Sequence, residues 1–428
     1  MFATMSETDS KERVNQQKRH KSILILGSSF LPRPTANGVC LINIAREYLK
    51  DGHTVFCIAA KDPGQKEYEV LDGVHIYRVE RSWFASFHEK YSSGGRIRKS
   101  FEKAVHLIRN VGMIPFYPNV APVRAIKVYS LAEKIIHEKQ IDTVIASYVP
   151  YEMIYAVLRL KRKFEDQLYC AAYYLDYLRV NKYSSLARVF YDRSCAHAQK
   201  KDLRCLDRVG IPISCKDEFE KQYGMHENVV FLELPVYVKE ASAPMKELPF
   251  SKDTLNLAFV GSLNTWNRSP ERLLKLLCAA QGKCPNLKLY IWGNITDTGD
   301  ILAQYASIAE YHGYTESKYI PTILHNADWV VNISNERDYH LVPSKIFQLF
   351  ASGKPVLNYM FKREDASIPY FERYKNTYTV YDDQANEVAV IDALVQALKK
   401  KWPLVNADAE FRENMPEYVA KRIIGDVK

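Results

Sequence analysis

Short runs of apolar residues alternate with longer amphipathic segments along most of the chain, and these two periods predict strands and helices in turn. SILILGS, from Ser22, reads as a fully buried strand, GVCLINIAREYLKDGH as a helix ending at Gly52, and TVFCIAA as the next strand. IDTVIAS from Ile141, LYCAAYYL from Leu168 and LDRVGIPIS from Leu206 repeat the strand signal between helical stretches. Continuous apolar strands separated by helices are the pattern of a parallel sheet covered on both faces.

The pattern breaks at VKEASAPMKELPFSKDT, from Val238, where small residues, prolines and charges replace the apolar period, and a linker is predicted there. It then restarts. LNLAFVGS, LKLYIWG, WVVNIS and KPVLNYM read as strands, and SPERLLKLLCAA, ESKYIPTILHNAD and PSKIFQLFAS as helices. The expected fold class is therefore α/β, with two Rossmann-like domains facing across a cleft. The expected boundaries are a disordered segment over 1–20, a first domain over 21–240, a second over 241–400, and a last helix over 401–428 crossing back to the first. Ligands of such sheets bind beyond the carboxyl ends of the strands.

Three stretches carry candidate chemistry at those ends. In LVPSKIFQLFASGKPVL, Pro343 suits a first helical turn and Gly353 the position past the last one, which places Lys345 and Gln348 three residues apart on one side. Free N–H groups and a lysine there favour an anion; the alternative is a solvated helix face. GSSFLPRPTANGV brings Gly38 to the mouth of a helix, where backbone N–H groups can approach a phosphate or sugar, or where the glycine serves only the turn. FVGSLNTWNRSPE repeats the arrangement with Gly261 and Arg268. Arg268 can grip a diphosphate with a forked pair of donors, with Lys345 adding a point charge; the alternative is a surface ion pair. Without GxGxxG, a dinucleotide reading is weak.

Composition narrows the setting. Among 428 residues the net charge is +9, which favours phosphate-bearing ligands or anionic lipid surfaces, and no nucleic-acid motif accompanies it. The eight cysteines lack CxxC spacing or a matching histidine cluster, so no metal site is expected and most thiols are expected to be buried. The first 20 residues lack the apolar core of a signal peptide, and no run is long enough to span a bilayer, so a cytoplasmic chain is expected. The segment from Arg81 to Val120 mixes Arg96, Arg98 and Lys99 with Trp83, Phe84 and Phe116. That suits peripheral docking on anionic headgroups at the inner face of the plasma membrane, or a helix with a buried apolar face.

TANGVCLINIAREYLKDGHTV, FVGSLNTWNRSPE, YHGYTESKYIP and VPSKIFQLFASGKPVL together resemble bacterial glycosyltransferases of the GT-B fold, close to glycosyltransferase family 4. The likeness runs from about Lys21 to Met360, and PSKIFQLFASGKPV, similar to the family's donor-binding helix, is its most specific part. It implies that the second domain holds a nucleoside-diphosphate sugar, the first presents a glycan or lipid-linked acceptor, and transfer retains anomeric configuration without a metal or other cofactor. Gly38, Gly261, Arg268, Ser344, Lys345 and Gln348 are then the donor-binding candidates.

This chain departs from that family at informative points. Its signature has two glutamates eight positions apart, where this sequence has His340 and Gln348; Ser262 and Asn267 stand where the family often has cations. Gln348 can still bond a hydroxyl, without charge assistance. Asp176, in YYLDY, matches an acidic residue near the family's acceptor site or is a helix N-cap; Glu336 can bond sugar hydroxyls or is a loop carboxylate; His340 is catalytic or a satisfied loop histidine. Because the leaving diphosphate can act as the base, few catalytic groups are needed. The expected function is a retaining hexosyltransferase of surface polysaccharide synthesis. The alternatives are a nucleotide-sugar-binding protein without turnover and a nucleotide-sugar epimerase.

Overall fold

A computed structural model describes residues 20–32, 34–81, 117–119, 121–148, 150–176, 185–239, 243–245 and 247–425. The expected disordered segment, apart from residue 20, lies outside these residues, as does most of the basic, aromatic stretch after Arg81. The chain divides into two units, Met1–Pro235 with Pro416–Lys428, and Val236–Met415.

The first unit runs β1 (Ser22–Leu26), α1 (Ala36–Lys50), β2 (Thr54–Lys61), β3 (Tyr68–Leu71), β4 (Val74–Glu80), α2 (Pro122–Lys139), β5 (Thr143–Tyr148), α3 (Tyr151–Phe164), β6 (Tyr169–Tyr174), α4 (Ser185–Cys205), β7 (Arg208–Pro212), α5 (Lys216–Tyr223) and β8 (Val229–Leu232). Its eight strands are ordered β3-β4-β2-β1-β5-β6-β7-β8, and only the edge strand β3 runs antiparallel to its neighbour. Leu24, Leu26, Val144, Ala146, Cys170 and Ala172 from the central strands pack with α2 and α3 into one core.

The second unit runs β9 (Leu255–Val260), α6 (Glu271–Gln281), β10 (Leu287–Trp292), α7 (Gly299–Gln304), β11 (Ala309–Tyr311), α8 (Ile320–Asn326), β12 (Trp329–Ile333), α9 (Lys345–Ala351), β13 (Val356–Met360), α10 (Ile368–Tyr374), β14 (Thr377–Tyr381) and α11 (Val388–Lys399). Its sheet is parallel throughout, ordered β11-β10-β9-β12-β13-β14. One face packs against α6 and α11; on the other, Asn332 donates to Asn358 at 2.8 Å, and Asn358 to Thr379 at 3.2 Å, a polar ladder across three adjacent strands. The last helix, α12 (Pro416–Ile423), belongs to the first unit, whereas residues 401–415 stay with the second. The continuous helix expected over the C-terminal stretch is thus shorter than its sequence suggested, because Pro416 fixes its start. Of the eight cysteines five are buried and three half-buried, and all are free.

Candidate functional site

In each sheet the strand order reverses direction once, and the connections leaving the two strands at that point diverge and open a crevice. In the second unit the reversal falls between β9 and β12. The loops that leave these strands run from Gly261 to Pro270 and from Ser334 to Ser344. Asn267 ties them together: its Oδ1 accepts from the N–H groups of Arg337 (2.9 Å) and Asp338 (3.1 Å), its Nδ2 donates to Asp338 at 3.0 Å, and its carbonyl accepts from Glu336 at 2.7 Å. A lysine here could not accept those bonds. The departure at this position therefore has a local structural reason.

Arg268 leaves the first loop and donates through Nη2 to Asn335 Oδ1 at 2.7 Å, while its buried Nε has no hydrogen-bond partner. Burial lowers its pKa, and the Asp365 carboxylate offsets part of that. Lys345, at the start of α9, is exposed as a residue, but the surrounding protein desolvates its ammonium and the Arg268 charge adds to the lowering of its pKa. Among the described residues neither cation is in an ion pair. A buried donor without a partner, beside two cations one of which lowers the pKa of the other, suits an anion. Asp365 uses one oxygen locally: its Oδ1 accepts from both the N–H, at 2.8 Å, and the hydroxyl of Ser367.

Glu336 follows Asn335 in the second loop, and its carboxylate is felt by Arg272 and Tyr359, which are both bound to Asp382. His340 is exposed, its ring edge-on to Tyr339 at 6.0 Å, with no side-chain hydrogen bond among the described residues. Ser344 caps α9 with a helical φ of −57° and no side-chain bond to the helix. Because α9 has only seven residues, positive charge here comes from side chains rather than from a helix dipole. Gln348 follows Lys345 by three residues on α9. It lines a cavity of about 150 Å³ with Lys239, Ile320, Leu324 and His325.

Three glycines close the floor at neighbouring strand ends. Gly261 donates to the Trp292 carbonyl and Gly293 to the Gly313 carbonyl, both at 2.8 Å. Gly293 has φ +134°, and a Cβ there would lie 1.8 Å from the Gly261 carbonyl oxygen, so only glycine fits. Sequence reading found Gly261 but missed Gly293, Asn335 and Asp365. The Trp-Gly ending of β10 beside the Val-Gly ending of β9 was the available signal.

In the first unit, Gly38 is buried in α1, and a Cβ there would meet the Ser29 carbonyl oxygen at 2.8 Å. The close approach it permits is by the chain's own loop. Nearby, Ser28, Ser29, Asp62, Gln65, Arg81 and Arg124 line a cavity of about 270 Å³ beyond β1 and β2. The Nε and Nη2 atoms of Arg124 are buried without hydrogen-bond partners, which the sequence did not reveal. Asp176 is exposed two residues past β6, and its charge helps raise the pKa of Cys40 and Tyr148. Among the described residues, no cluster of three His, Cys, Asp or Glu side chains could hold a metal, and no helix is long and apolar enough to cross a membrane.

No family model matches the chain, and no curated protein matches it. Solved structures do. An α,α-trehalose 6-phosphate synthase from Burkholderia multivorans aligns at 10% identity over 95% of this chain and 96% of its own, with a TM-score of 0.50. The WaaG glycosyltransferase involved in lipopolysaccharide biosynthesis aligns at 13% identity over 94% and 100%, with a TM-score of 0.49. A glycosyltransferase from Rickettsia africae ESF-5 aligns at 12% identity over 95% and 100%, with a TM-score of 0.49. What the first of these shares with the chain is the fold: two α/β units, each built on a parallel sheet, as in GT-B glycosyltransferases.

Proposed function

We propose that this chain is a glycosyltransferase whose second unit binds a nucleoside-diphosphate sugar at Arg268 and Lys345. The observation that carries this reading is a pair of cations at the reversal point of the second sheet that have no ion-pair partners among the described residues. A diphosphate supplies a counter-charge for both cations through charge-assisted contacts. The resemblance of PSKIFQLFASGKPV to a donor-binding helix supports the same assignment.

As donor, the nucleotide sugar loses its diphosphate when the C1–O bond breaks. The acceptor hydroxyl attacks the same face, and its proton passes to the departing phosphate oxygen, giving retention. Arg268 and Lys345 stabilise the charge that builds on that oxygen without a metal. Glu336 orients sugar hydroxyls, and Asp176 with the Arg124 cavity belongs to the acceptor side. The acceptor is a glycan or lipid-linked saccharide of surface polysaccharide synthesis, with a hexose transferred at the inner face of the membrane. One observation favours a second reading, binding without turnover: His340 is exposed and unbonded where the resembling family has a glutamate.

Calorimetry with uridine and guanosine diphosphates tests the assignment. Lys345→Ala should weaken binding of the nucleoside diphosphate by roughly tenfold or more, the worth of a charge-assisted bond, and leave nucleoside binding unchanged. Equal affinity in variant and parent would mean that Lys345 is only a solvated helix residue.

A further inference from the structure

Trp266 is 54% exposed in the loop between Gly261 and Arg268, although both of its chain neighbours are firmly held. Thr265 donates its N–H to Asp297 at 2.8 Å and its hydroxyl to the same carboxylate, which holds Asp297 below the usual carboxylate range. On the other side, the Asn267 N–H donates to Asn264 Oδ1 at 2.7 Å, and Asn264 and Arg268 exchange backbone hydrogen bonds at 3.2 Å in both directions. The Arg337 guanidinium lies 5.2 Å from the indole centroid. An exposed indole on so rigid a turn is a preorganised surface, not a mobile tip.

We infer that Trp266 is a stacking platform for the sugar ring of the donor, with the Arg337 guanidinium fixing the plane of the indole. This rests on the donor reading above. Trp266 lies two positions before Arg268, a span of about 7 Å at most. A pyranose joined directly to a diphosphate held by Arg268 is within that reach. The C–H groups of a sugar face carry partial positive charge and suit the negative face of an indole, while the hydroxyls at the ring edge stay free for Glu336. The platform discriminates between a sugar nucleotide and the bare nucleoside diphosphate, which the cation pair alone cannot do.

The test titrates the full chain, its Trp266→Ala variant and its Trp266→Phe variant with uridine and guanosine diphosphates, UDP-glucose, UDP-N-acetylglucosamine and GDP-mannose. Trp266→Ala should lower the affinity for the sugar nucleotide by roughly three- to tenfold, leave the nucleoside diphosphate unchanged, and be largely rescued by phenylalanine. The inference is overturned if Trp266→Ala binds sugar nucleotides as the parent does, or if it loses both ligand types equally. It is also overturned if only the KM for a saccharide acceptor rises, which would assign the indole to the acceptor. Failure of the parent to bind any of these probes would instead overturn the donor reading beneath it.

Discussion

Asp202 shows at the scale of one residue how burial sets chemistry in the first unit. Only 1% exposed, it accepts from the Tyr151 hydroxyl at 2.9 Å and from the Tyr174 hydroxyl, yet desolvation outweighs those bonds and raises its pKa from 3.8 to about 7. A carboxyl whose proton is held more tightly when folded favours the folded state at low pH, and that contribution is lost as pH rises from about 4 to about 7. Between pH 5 and 8 this is worth roughly 3 kcal/mol. Asp202→Asn should therefore flatten the pH dependence: its urea midpoint should fall less than the parent's over that range. Parallel curves would show that Asp202 does not titrate there. Nothing in KKDLRCL marks this aspartate as buried, since its partners lie on α3 and β6, far away in sequence. The same limit governs the candidate site. Arg268 and Lys345 are legible as cations near strand ends, but Asn335, Asp365 and the missing ion pairs emerge only once the loops are brought together.

At the scale of elements, legibility followed burial. β1, β2, β5, β6, β9, β12 and β13 are central, apolar and unmistakable, whereas the edge strands β3, β8 and β11, and β4 beside β3, were missed. β3 exposes part of every residue and β11 has three residues, so neither presents an apolar run. β14, at the other edge of its sheet, buries only Val380 and was missed likewise, as was α11. Strand ends also explain why Gly293 matters. Because its absent Cβ is occupied by the Gly261 carbonyl at 1.8 Å, Gly293→Ala must push β9 and β10 apart at the floor of the site. It should cost about 2 kcal/mol or more and abolish nucleoside-diphosphate binding. Gly299→Ala, where a Cβ meets nothing within 4 Å, is the matched control and should be neutral or stabilising by up to about 1 kcal/mol. Similar thermal midpoints and affinities for both variants would contradict the account of the floor.

At the scale of the molecule, the chain completes its first unit with its last helix. On α12, Val419, Ala420 and Ile423 are buried, the Ala420 carbonyl accepts from the Tyr48 hydroxyl and the Ile423 carbonyl from the Tyr169 hydroxyl, both at 2.9 Å. Deleting 416–428 would strip cover from α1 and leave two tyrosine hydroxyls short of these acceptors. Each buried Val or Ile side chain contributes about 1.5–3 kcal/mol, so the loss to the first unit is several kcal/mol, comparable to a domain's whole stability. Arg268, Asn267, Lys345 and the strands that place them all lie within Val236–Met415, which keeps its own core in the truncated chain. The truncated protein should therefore melt in two steps. The first unit's transition should fall sharply, while nucleoside diphosphate at about 100 times its dissociation constant should still stabilise the second by roughly 2.7 kcal/mol. Scanning calorimetry with and without uridine or guanosine diphosphate separates the two transitions. If truncation removes the ligand-dependent shift, binding by the second unit depends on α12, and the assignment of the donor site to that unit alone fails.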